Sequence, residues 1–147
     1  MTKKILITLS ILFMAGCSSI KLEPASFAWP IENVVTTDAD GNVVIDRYST
    51  EFNATNLFKT ELGDSVDVAN KELRIIRDYL GYYVMTAVGF KNVYVFDVSD
   101  GAFVQTNKIF ITKDGMTNPA LNQRPPNIEL VNENQVYSID SKGSIRK

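Results

Sequence analysis

A small all-β domain, an antiparallel meander closing into a sandwich or open barrel, is the fold class this sequence predicts, on three observations. Short runs of β-branched and aromatic residues recur along the chain at strand length. Between them recurs the spacing D-x-x-G, at Asp38-Ala39-Asp40-Gly41, Asp78-Tyr79-Leu80-Gly81 and Asp140-Ser141-Lys142-Gly143. At 147 residues with 45% hydrophobic and 10% aromatic content, the chain suffices for one core and is too apolar for a disordered polyelectrolyte.

The turns come first, because they set the hairpins. Asp at the first position of a type I turn accepts from nearby backbone N–H groups, and Gly at the fourth tolerates positive φ. A longer variant, Asp97-Val98-Ser99-Asp100-Gly101, follows Val93-Tyr94-Val95-Phe96. That run is apolar on both faces and reads as a central strand covered from both sides. The remaining strand readings are Val34 to Thr37, Val43 to Tyr48, Tyr82 to Val88, Phe103 to Thr106, Lys108 to Thr112, Ile128 to Val131 and Val136 to Ile139. Asn53 to Leu62, ending at Gly63, holds one short helix.

One segment supports two readings. Val66, Ala69, Leu73, Ile76 and Leu80 fall at helical spacing, with Ser65 as N-cap and Gly81 beyond the last turn, which makes the alternative fold α+β with a helix at about 65–80. Against it, Leu73 to Arg77, a D-x-x-G turn and Tyr82-Tyr83-Val84 repeat the hairpin layout, and the strand reading is preferred.

The amino terminus is a targeting segment. Lys3 and Lys4 precede an eleven-residue apolar stretch, Ile5 to Ala15, broken by Thr8 and Ser10. A bilayer core of about 30 Å needs roughly 20 helical residues, so the stretch is a signal h-region and not a span. Met14-Ala15-Gly16-Cys17 is similar to the lipobox of bacterial lipoprotein signal peptides, with Met14 where Leu is usual. The resemblance implies cleavage before Cys17 and lipidation (diacylglyceryl and palmitate-type acylation) at Cys17. It divides the chain into a signal peptide (1–16), a lipidated Cys and tether (17–25) and one β-rich domain (26–147). Cys17 is the chain's one cysteine, and lipidation consumes a thiol that would otherwise stand free in an oxidising compartment. In Gram-negative lipoproteins Asp after the Cys signals inner-membrane retention; Ser18 here implies the periplasmic face of the outer membrane.

Ile75 to Val104 resembles one blade of an NHL-type β-propeller, through its Asp-turn-Gly, paired-aromatic strand and Val93-Tyr94-Val95-Phe96-Asp97. Blades recur at about 40 to 45 residues and closed rings use at least four, so a complete propeller does not fit this length.

Function is bounded mainly by exclusion. With no His, Ser/His/Asp triads, Cys/His dyads and His-based zinc sites are excluded within the chain. The 15 Lys and Arg against 17 Asp and Glu include no basic stripe, the densest positive cluster being Lys142, Arg146 and Lys147, read as a solvated tail, so no nucleic-acid partner is expected. Asp38, Asp40 and Asn42 stand at alternate positions as in a calcium loop, but Gly41 is fourth rather than sixth and the twelfth position is Ser49, so the segment reads as a hairpin turn without metal. No cofactor is expected. The aromatic set Tyr79, Tyr82, Tyr83, Phe90, Tyr94, Phe96 and Phe103 reads mostly as core, with one of the adjacent Tyr82 and Tyr83 left exposed as a contact. Lys113 to Pro126 is the longest stretch without strand character, and its Arg124 beside Pro125-Pro126 offers a planar donor fork. Together these point to a lipid-anchored, non-enzymatic binding or accessory module with an envelope protein or cell-wall partner. Two alternatives stay open, a small polysaccharide hydrolase using Asp and Glu and a membrane-displayed enzyme inhibitor.

Overall fold

The computed structural model describes residues 26–143 and 145–146, so Cys17 and the tether lie outside the described residues. Eleven strands and one helix run in the order β1 (Asn33–Thr36), β2 (Asn42–Ile45), β3 (Thr50–Asn53), α1 (Thr55–Leu62), β4 (Glu72–Arg77), β5 (Tyr83–Thr86), β6 (Asn92–Ser99), β7 (Ala102–Phe110), β8 (Pro119–Arg124), β9 (Asn127–Asn132), β10 (Gln135–Ile139) and β11 (Ile145–Arg146). They form a five-stranded sheet ordered β1-β4-β5-β6-β7, a four-stranded sheet ordered β11-β10-β9-β8 and the hairpin β2-β3, with every pairing antiparallel. The expected all-β meander is thus what the chain builds.

The five-stranded sheet is the middle of three layers. Because side chains alternate across a strand, its register sorts them by face. Ile75, Met85 and Tyr94 stand opposite one another on one face, and Ile76, Val84 and Val95 on the other. On the Val95 face lies the four-stranded sheet, whose Leu121, Ile128, Leu130, Tyr137 and Ile139 are buried. Glu32 ties the two sheets together: Arg74 Nη1 donates to its Oε1 at 2.5 Å and the Leu121 N–H to its Oε2 at 2.8 Å. Gln123 Nε2 donates to the Arg77 carbonyl at 2.6 Å, and Asn107 Nδ2 to the Ser141 carbonyl at 2.8 Å, closing two further corners. On the Tyr94 face lie the β2-β3 hairpin and α1, through Phe58 against Phe90 (ring centroids 5.2 Å apart) and Phe52 against Phe103 (5.0 Å). Trp29 stacks on Tyr48 at 4.0 Å and meets Tyr83 edge-on at 5.4 Å, sealing one end of this layer.

The local readings hold where the signal is local. In all three D-x-x-G turns the glycine N–H bonds to the aspartate carbonyl, at 3.1–3.2 Å, and the glycine has positive φ. In the longer variant Asp100 and Gly101 have φ of 52° and 76° between paired Ser99 and Ala102, the two-residue mirror-image turn that suits strand twist. The Val93 to Phe96 run lies in β6, where Val93, Tyr94 and Val95 are buried, between β5 and β7. The short helix is α1, ended by Gly63.

The preferred strand reading of 65–80 is the one the chain adopts: β4 occupies Glu72–Arg77, since pairing with β1 and β5 satisfies its backbone while burying Leu73 and Ile75 on one face and Ile76 on the other. Several other expectations are corrected. Val43 to Tyr48 is not one strand; β2 ends at Ile45, a 3-10 turn takes Asp46–Tyr48, and Ser49 at φ 49° reverses the chain into β3. Phe103 to Thr106 and Lys108 to Thr112 join as β7, because a bulge opposite Val95 and Phe96 absorbs Thr106. The expected loop from Lys113 to Pro126 contains β8, an edge strand that starts on Pro119, where a missing N–H is tolerated, and buries Leu121. The basic end is no free tail either, since the Ile145–Arg146 backbone pairs with β10.

Candidate functional site

The hairpin and helix cover the Tyr94 face only in part, and the uncovered part is a cleft of about 640 Å³. One wall is the chain from Ser49 to Leu57 with Thr60 of α1; the floor is Tyr83, Met85, Tyr94, Phe96, Phe103 and Gln105; Val98, Gly101 and Ala102 form the outer rim. Register explains the floor. Tyr83 pairs with Phe96, Phe96 with Gln105, and Val98 with Phe103, which places these side chains on one face.

Phe103 is the hub of the aromatic floor. Tyr83, Phe52 and Phe96 meet it at 4.8, 5.0 and 6.1 Å with interplanar angles of 87°, 72° and 77°, edge-to-face arrangements that fix the ring. Tyr94 lies stacked against Phe96 at 6.3 Å.

Beyond Tyr94 the helix wall is locked to the sheet by Glu61. Its side chain is 1% exposed, and its carboxylate accepts from the Tyr94 hydroxyl, from the Lys91 N–H at 2.6 Å and from Asn92 Nδ2 at 2.7 Å, with Lys108 Nζ at 3.8 Å. Burial alone opposes its ionisation, but these donors and the Lys108 charge outweigh it and hold the carboxyl below its usual range. Burial, with the facing carboxylate, pushes the Tyr94 hydroxyl in the opposite direction, well above the ordinary tyrosine value.

The polar side chains of the cleft divide into two groups. Thr50, Asn53 and Thr60 are engaged internally, with the Tyr48 carbonyl, with Asp40, Asn42 and Thr55, and with the Asn56 carbonyl respectively. Among the described residues, the side chains of Ser49, Glu51, Asn56 and Gln105 have no protein partner. The Tyr83 hydroxyl also has no hydrogen-bond partner among the described residues, so the lining offers one carboxylate, two carboxamides and two hydroxyls, and no cation.

The residues singled out from sequence are not brought together. Tyr83 enters the cleft floor but is 7% exposed, with Arg77 over its ring at 4.9 Å; Tyr82 is half-buried in the turn, its N–H donating to the Asp78 carboxylate at 2.8 Å. The expectation that one of the pair stands exposed is thus corrected: both are packed, because the turn lays Tyr82 along the core. Arg124 is exposed at the β8-β9 hairpin in a different layer, with Nε 3.5 Å from Glu129, so its fork is partly taken up by its neighbouring strand. Of the aromatic set, Phe90, Tyr94 and Tyr83 are core, Phe96 and Phe103 are the half-buried floor, and Tyr79 is exposed. Asp38 turns both carboxylate oxygens onto its own loop, accepting from the Asn42 side chain, the Asn42 N–H and the Asp40 N–H, and the Asn42 side chain foremost holds its carboxyl low. Among the described residues no group of three acidic or cysteine side chains gathers as a metal set, and no helix is long and apolar enough to cross a membrane.

Sequence reasoning missed Glu51, Phe52, Asn56 and Gln105. The one usable signal was Phe103 and Gln105, two apart and hence on one face of a strand. Set against known proteins, the chain matches no family model, no curated protein and no solved structure.

Proposed function

We propose that the protein is an envelope lipoprotein, anchored through Cys17 at the periplasmic face of the outer membrane, that works by non-enzymatic binding in the cleft between α1, β3 and the β5-β7 floor. The observation that carries this reading is the cleft's composition: an aromatic floor beside polar side chains that no group among the described residues engages. A concave site with apolar walls and a few unengaged polar groups is the usual form of a ligand pocket, and about 640 Å³ is within the ordinary size for one. The lining favours binding over hydrolysis. Most glycosidases use two carboxyl groups flanking the scissile bond, whereas Glu51 is the single carboxylate in this lining. The anchor rests on the Lys3-Lys4, Ile5 to Ala15 and Met14 to Cys17 pattern. Two or more acyl chains anchor a protein stably, at about 0.8 kcal/mol per buried methylene.

The test is photo-crosslinking in intact envelopes with the full-length protein, placing the crosslinker at Thr60 on the cleft wall or at Val136 on the outer face of β10. Adducts from Thr60 and none from Val136 are expected. Adducts from Val136 alone would move the site to the other layer. In parallel, mass spectrometry of the mature amino terminus should find acyl groups on Cys17, and an unmodified cysteine would remove the anchor.

A further inference from the structure

We infer, resting on the reading of the cleft as the ligand site, that its ligand is an uncharged oligosaccharide, with sugar rings laid against Phe103 and Phe96 and their hydroxyls held by Glu51, Asn56 and Gln105. A wholly apolar occupant would strip water from Glu51, Asn56 and Gln105 without replacing it, leaving three polar groups, one of them charged, unpaired. An anionic occupant would face Glu51 with no cation in the lining; the nearby Lys108 lies outside it and is directed to Glu61 and the Tyr94 ring. An extended peptide adding to the free edge of β3 would find a strand of four residues, a short ladder for a mode that draws its affinity from main-chain bonds.

A neutral sugar chain meets every feature. The faces of its rings present weakly positive C–H groups, which the negative faces of aromatic rings attract. Its hydroxyls both donate and accept, as do carboxamides, and a carboxylate adds a strong acceptor. The aromatic floor is also fixed in advance by the edge-to-face contacts around Phe103, so little order has to be imposed on binding.

The experiment is saturation-transfer NMR on the full-length protein in a detergent without a sugar headgroup. The probes are β-1,4-linked tetramers of glucose and of N-acetylglucosamine, a galacturonate tetramer as the anionic counterpart, and an uncharged β-forming heptapeptide. Transfer to the C–H protons of at least one neutral tetramer is expected, with none to the galacturonate. Affinity should fall about tenfold in Phe103→Ala, the scale of one lost aromatic contact. A comparable fall is expected in the double variant Asn56→Ala/Gln105→Ala, whose positions are exposed; it decides the matter if Phe103→Ala proves misfolded by circular dichroism. Absence of transfer to both neutral tetramers, equal transfer to the galacturonate, binding of the peptide in their place, or unchanged affinity in the double variant would each overturn the sugar. Adducts from the Thr60 crosslinker alongside any of these results would leave the cleft as the site and change only its ligand; their loss as well would remove the site itself.

Discussion

The two faces of the central sheet are covered differently. Against the Val95 face a second sheet lies strand upon strand, stitched at its corners by Glu32, Gln123 and Asn107, and Val84, Val93 and Val95 beneath it are at most 1% exposed. Against the Tyr94 face lie only a four-residue-per-strand hairpin and an eight-residue helix, too small to span it, and the aromatics left over become the cleft floor. The same β6 strand serves both, with Val95 in a sealed interior and Phe96 beside an open site. Full coverage seals one face, and partial coverage leaves an open cleft on the other.

That contrast breaks most severely at Val95→Asp. A carboxylate between the two sheets has no partner, and the domain should lose about 4 kcal/mol or more, read as the denaturant midpoint. A small change there would mean that the second sheet does not seal this face.

Glu61→Gln tests the other face more finely. It keeps the size but weakens the hydrogen bonds from Tyr94, Lys91 and Asn92 and removes the attraction of Lys108, a loss of about 1–2 kcal/mol near neutral pH. The pH dependence has a definite sign. Because the folded carboxyl lies below its ordinary value of 4.5, its contribution is fully present above that value and is lost as pH falls through the lower folded pKa. The wild type should therefore lose its advantage over Glu61→Gln on acidification below about pH 4.5, in stability curves measured at several pH values. A difference that held constant through that range would show that Glu61 does not latch α1 to the sheet as a carboxylate.

Gln105→Ala should be the mildest. Gln105 is exposed and its side chain has no partner among the described residues, so the denaturant midpoint should shift by less than about 0.5 kcal/mol in free energy. A larger shift would show that the floor serves folding and not recognition.

The legible parts of the fold were those written into neighbouring residues. A turn such as Asp78 to Gly81 is satisfied by its own carboxylate, which accepts the Leu80 and Tyr82 N–H groups, so the pattern needs no distant partner. β8 was illegible for the opposite reason: Pro119, Ala120, Asn122, Gln123 and Arg124 lack strand character, and the segment is extended because β9 pairs it and the Glu32 carboxylate on the amino-terminal side of β1 caps the Leu121 N–H. At 65–80 both periodicities were present, and only the pairing of β4 with β1 and β5 chose between them.

By itself, the sequence determined the chemistry available, the hairpin turns and the doubly buried β6 strand, since each depends on composition or on residues a few positions apart. The tertiary structure alone decided which sheet face stays open, and it placed Phe52, Asn56, Phe103 and Gln105 around one cleft while leaving Arg124 and Tyr82 out of it. Phe52 and Asn56 lie tens of positions from Phe103 and Gln105 in the chain, and what gathers the two pairs is the size of the hairpin and helix relative to the sheet they cover, a mismatch that no local pattern records.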